Sequence, residues 1–86
     1  MQQRMTITNR ATDNRPVWTE PEGAYYWMLP KQTFEIVADK DDPDGMFEIW
    51  DDGTGIQIFG SYVMGYISVF HLGKLLECGH QRPPES

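Results

Sequence analysis

Three side chains in this sequence could bind a soft metal or act with a nucleophile: His71, Cys78 and His80. Cys78-Gly79-His80 sets two ligands almost side by side, and a turn after Phe70 would carry His71 toward them. A structural zinc site takes four N or S ligands, often with a CxxC pair, and this chain has a single cysteine. Three ligands with an open position would suit a catalytic zinc, and a Cys–His dyad would suit a thiolate nucleophile, but nothing nearby completes either. The plainer reading is a small buried cysteine and two surface histidines. Ser61, Ser68, His71 and the many aspartates supply the inventory of a Ser-His-Asp triad. Phe59-Gly60-Ser61-Tyr62-Val63 is no nucleophile elbow, however. Gly53-Thr54-Gly55 lacks the Lys-Ser/Thr pair of a phosphate loop. The chain reads as a non-enzyme without a cofactor.

Carboxylates are the abundant chemistry, and they are local. The window Glu35 to Asp52 holds eight of the thirteen acids and one cation, Lys40. It carries about minus seven charges, so the rest of the chain sums to about plus one. Asp39, Asp41, Asp42 and Asp44 superficially resemble a calcium loop. An EF-hand needs acids at positions 1, 3 and 5, Gly at 6 and Glu at 12. Placing Gly45 at 6 puts Lys40 at position 1 and Asp51 at 12, so an ammonium stands where the metal needs an oxygen. The EF-hand reading fails. A looser hard-cation site with Asp51 and Asp52, a solvated loop, and a partner-binding surface remain as readings of the cluster. A field of this sign attracts cations or basic proteins and repels nucleic acid and anionic lipid.

The elements that must position these groups read as strands. Eighty-six residues make one domain, and three Trp, four Tyr and four Phe give it an aromatic core. Two-residue alternation appears in Met5–Thr8, in Pro16–Thr19 (an edge strand, with Pro at its start), in Ala24–Leu29 and in Thr33–Ala38. It returns in Met46–Trp50, Ile56–Phe59, Tyr62–Phe70 and Lys74–Cys78. Turn signals recur every eight to twelve residues. The fold class is therefore all-β: a small antiparallel β-sandwich or barrel of six to eight short strands, with no long helix. Residues 1–78 are read as one β-domain and 79–86 as a flexible tail. One unpaired cysteine and no visible signal peptide fit the cytoplasm.

On Met46 to Asp51 the alternation puts Phe47 and Ile49 on the core side and Glu48 and Trp50 on the exposed side. An exposed indole ringed by carboxylates can stack an arginine while a carboxylate meets its guanidinium. Against this stands the reading that another strand or the N-terminal arm covers Trp50. Tyr25-Tyr26-Trp27 places rings on both faces of one strand, so at least one lies near solvent. The acidic balance argues against stacking on bases and leaves sugar or peptide recognition.

The expected interaction residues are Asp39, Asp41, Asp42, Asp44, Glu48, Trp50, Asp51 and Asp52, gathered on one outward area. The expected function is a non-enzymatic acidic binding module, an inhibitor of a basic, nucleic-acid-binding protein. Phage-encoded anti-CRISPR proteins, DNA mimics and toxin-neutralising immunity proteins work in this way. The alternative is a structural or accessory β-domain, such as a phage component or complex subunit. It would assemble through sheet edges and exposed aromatics, including as a homo-oligomer.

Overall fold

A computed structural model describes residues 3–20, 23–40, 44–61 and 65–83. Alternating burial in Arg4–Thr8 (β1) turns Met5 and Ile7 inward and leaves Arg4, Thr6 and Thr8 in solvent. β1 pairs antiparallel with Thr33–Ala38 (β4), which pairs in turn with Ile67–His71 (β7). The two-residue strand Lys74–Leu75 (β8) closes this first sheet, in the order β1-β4-β7-β8. The second sheet runs β3-β2-β6-β5, from Ala24–Met28 (β3), Arg15–Glu20 (β2), Ile56–Gly60 (β6) and Phe47–Asp51 (β5). The protein is thus all-β, and its described residues form eight strands in two sheets over one shared core.

Phe34, Ile36, Ile67 and Val69 of the first sheet meet Val17, Tyr26, Met28 and Ile58 of the second, with Leu76 joining from beyond β8. Phe34, Ile36, Val17, Met28, Ile58 and Val69 are fully buried. At about 25 cal/mol per Å² of apolar surface removed from water, such side chains are the main source of stability. Asn9 is buried as well, and both its amide donors and its side-chain carbonyl are partnered. Its Nδ2 donates to the carbonyls of Asp13 and Met28, and its Oδ1 accepts from Ala11 N–H. That side chain ties the β1–β2 connection to the end of β3.

Two features depart from the sequence expectation. One pair of neighbours, β2 and β6, is parallel, inside an otherwise antiparallel structure. In addition β2 is an inner strand, although Pro16 marked it as an edge. The register explains how Pro16 is tolerated. Trp27 turns its N–H outward to the carbonyl of His80, so the Pro16–Trp27 pair is not a hydrogen-bonded one. The missing N–H therefore faces β6, just before that ladder begins at Val17 and Ile56. The expected strand Tyr62–Phe70 is observed from Ile67 onward, and Tyr62, Val63 and Met64 lie outside the described residues. Among the described residues no helix is long and apolar enough to cross a membrane.

Beyond Cys78, where the sequence reading ends the domain, the chain runs alongside β3. Gly79 N–H donates to the carbonyl of Tyr25 (2.6 Å), Trp27 N–H to that of His80 (2.8 Å), and Gln81 Nε2 to that of Trp27 (2.7 Å). His80 forms a parallel bridge with Tyr26.

Candidate functional site

Register and alternation decide which side chains share the outer face of the second sheet. Because Val17, Thr19, Tyr26, Met28 and Ile58 face the core, their neighbours in sequence face outward. Tyr25 lies beside Trp18, Trp18 beside Gln57, and Gln57 beside Trp50, a row that crosses all four strands. On one side of this row stand Glu20, Phe59 and Glu48, again direct neighbours. On the other stand Trp27 and Pro16. All three tryptophans, one tyrosine and one phenylalanine thus occupy the outside of a single sheet.

The rings touch one another. Trp18 and Tyr25 meet edge to face at 6.0 Å between centroids, Tyr25 and Trp27 tilt together at 6.4 Å, and Trp50 and Phe59 meet at 5.9 Å. Trp18 lies close over Gly55, where an added Cβ would come within 2.7 Å of the indole. Trp50 stays 57% exposed and Tyr25 41%, so Trp50 is not covered as the competing reading supposed. The strand positions of this face carry two carboxylates, Glu20 and Glu48, and no cation. The one guanidinium on it arrives from the C-terminal segment: Arg82 stands 5.4 Å from the centre of the Trp27 ring.

The sequence-predicted residues separate into three places. Glu48 and Trp50 share the outer face just described. Asp51 and Asp52 sit at the β5–β6 turn. There Asp51 Oδ1 accepts from Gly53 N–H (2.9 Å) and pairs with Arg15 Nη1 (3.4 Å). Asp52 Oδ1 accepts from the hydroxyl and N–H of Thr54 and from the N–H of Gly55. The Thr54 bonds above all, then Gly55, hold the Asp52 carboxyl below the ordinary carboxylate value. These two acids chiefly build the turn.

Asp39 and Asp44 lie at the other end of β5, roughly 13 Å of strand away. Gln3 ties the segments that carry them, accepting from Ala38 N–H through its backbone carbonyl and donating its side-chain amide to Gly45 O. Asp41 and Asp42 lie outside the described residues. The window is therefore gathered in sequence but divided in space.

His71, Cys78 and His80 line one open cleft with Lys74 and Glu77. Both imidazoles meet Phe34 edge to face, at 5.8 and 6.2 Å. Cys78 is exposed and its sulfur accepts from Tyr25 N–H at 3.4 Å. Among the described residues no three His, Cys, Asp or Glu side chains converge as metal ligands.

Trp18, Phe59 and Glu20 are not singled out by the sequence, which marks Trp27 only as one of three rings of which at least one lies near solvent. Their signal was present as two-residue spacing: Trp18 with Glu20, and Tyr25 with Trp27. The parallel β2–β6 pairing that joins them to Trp50 was not readable. Fold and site define the class as a two-sheet β-domain with an aromatic, carboxylate-edged outer face. The chain matches no protein-family model, no curated protein and no solved structure.

Proposed function

We propose that this chain is a non-enzymatic binding module for a protein with a basic surface, working through the outer face of its second sheet. The observation that carries the reading is the placement of Trp18, Tyr25, Trp27, Phe59 and Trp50 on one solvent-facing sheet surface, with Glu20 and Glu48 as its only charged strand positions. Tyr25 and Trp50 are exposed and Trp18, Trp27 and Phe59 half-buried, so the face keeps apolar surface that a partner can cover, and carboxylates beside it favour a cation over a neutral ligand. The net charge of −6 supports the same partner, since it steers cationic surfaces and opposes nucleic acid. An inhibitor that occupies the nucleic-acid channel of a nuclease or surveillance complex, or an immunity protein that neutralises a basic toxin, fits this chemistry.

The test is affinity capture from the native host with the wild-type chain, the Glu20→Lys/Glu48→Lys variant and Trp50→Ala, at low and high salt. Partners with basic surfaces should be retained, and each variant should weaken retention by about tenfold or more, as should high salt. Neutral or acidic partners held equally by all three proteins at both salts would refute the reading.

A further inference from the structure

The two edges of the second sheet are treated differently. The outer edge of β3 is occupied by the chain itself, through the bonds from Gly79, His80 and Gln81 to Tyr25 and Trp27. The outer edge of β5 meets no strand among the described residues.

Which groups β5 offers there follows from its ladder. Ser61 N–H donates to Met46 O at one end, and Asp52 N–H to Gly55 O at the other. Hydrogen-bonded pairs alternate along antiparallel strands, so Met46, Glu48, Trp50 and Asp52 bond toward β6. Phe47, Ile49 and Asp51 therefore turn their N–H and C=O groups to the open side. Of the usual protections of such an edge this short strand keeps negative charge, in Glu48 and Asp51, but it has no proline, no lysine and no break in register, so it is guarded against acidic or neutral strands and not against basic ones. Ile49 is 48% exposed even though it lies across from the fully buried Ile58.

Charge decides what can pair here. Asp44 to Asp52 contains four carboxylates and no cation. A second copy would set two such segments side by side, with like charges opposed across a narrow gap. A basic segment meets the opposite situation. The far edge of the same sheet already holds a turn-rich segment, bonded to β3 through its backbone, whose Arg82 guanidinium stands over the Trp27 indole.

We propose that β5 is an acceptor edge, on which an extended, basic segment of the partner adds as a further strand of the second sheet. The segment bonds to Phe47, Ile49 and Asp51. It lays arginine or lysine side chains beside Glu48 and Trp50, and apolar side chains beside Phe47 and Ile49. It is thus an alternating basic–apolar strand, recognised through backbone and charge together. This rests on the outer-face reading above and names the form of the partner.

The test uses a capped synthetic peptide of alternating arginine and valine, with the glutamate–valine counterpart as control. Amide exchange followed by NMR should show new protection at Phe47, Ile49 and Asp51 on adding the arginine peptide. Glu48 and Trp50, already bonded to β6, should not change. Ile49→Pro removes an edge donor without touching the β6 ladder, and should weaken binding by about tenfold or more. N-methylation of alternate peptide amides removes the same bonds from the other side and covers the case in which that variant fails to fold.

Undiminished binding to Ile49→Pro and to the N-methylated peptide, with no new protection, would overturn strand addition. If Trp50→Ala still weakened that binding, the outer-face reading would survive alone. Equal binding of the glutamate peptide, or no binding at all, would overturn both. Protection at Phe47, Ile49 and Asp51 in the protein alone, with a doubled mass, would assign the edge to a second copy and also overturn the proposal.

Discussion

The two sheets share one core but present opposite outer faces. On the first sheet, Arg4, Thr6 and Thr8 of β1 lie beside Val37, Glu35 and Thr33 of β4. Thr8 and Thr33 hydroxyls share a hydrogen bond of 2.8 Å, and Arg4 pairs with Glu35 at 3.4 Å. Apart from Val37, which is buried, these are short, β-prone or mutually neutralised side chains that suit contact with water, and Ser68 and Phe70 of β7 continue the same face. The second sheet has the same architecture and an outer face of indoles, a phenol, a phenyl ring and the carboxylates of Glu20 and Glu48. Strand formation demands no such residues on the solvent side, and this contrast is what supports proposing the second sheet as the contact surface.

The contrast can be broken most severely beneath Trp18. A Cβ at Gly55 would approach Trp18 Cζ3 to 2.7 Å, Pro16 Cγ to 2.9 Å and Pro16 O to 3.0 Å. Gly55→Ala must therefore lift the indole or shift backbone. It should lower stability by about 1–3 kcal/mol in denaturant titration. Thr6→Ala on the opposite face should stay within about 0.5 kcal/mol of wild type. Equal effects would mean that the aromatic face is not the more tightly built one.

A smaller effect should come from pH, through the C-terminal segment that holds Arg82 over Trp27. Burial first, and then the nearby His71 and Lys74 charges, lower the affinity of His80 for a proton. Folding then favours the neutral imidazole. The stabilisation is whole above the ordinary histidine value of 6.5 and diminishes as pH falls below it. Acidification should loosen the segment and change tryptophan emission before global unfolding, and His80→Gln should flatten that response. The first sheet, read through the protection factors of the Met5 and Glu35 amides, should be indifferent over the same range.

Much of this arrangement was legible in the chain, for definable reasons. Two-residue alternation and regular turn residues located the strands, and the Glu48–Trp50 pairing on β5 followed from alternation alone. Neighbours across strands did not, because register depends on contacts far apart in sequence. Pro16 pointed to an edge since a central strand ordinarily needs every N–H. Only the β3 and β6 ladders reveal that its absent donor falls where no bond is required. The mid-chain acids suggested one surface because they are close along the chain. Yet five residues of strand separate Asp44 from Asp52, and Asp51 and Asp52 are engaged in turn bonds and an ion pair. Trp18 remained unremarked because a large ring in a strand is more often core than surface, and Tyr25-Tyr26-Trp27 showed only that at least one of its rings lies outside.

The central claim is that the aromatic outer face of the second sheet, and not the polar face of the first, is where this protein meets its partner. NMR titration with the alternating arginine–valine peptide tests it directly. The indole N–H signals of Trp18 and Trp50 should move with increasing peptide and return with added salt, while the methyl signals of Thr6, Thr8 and Thr33 stay in place. Shifts confined to those threonines, or indole signals unmoved at saturating peptide, would contradict it.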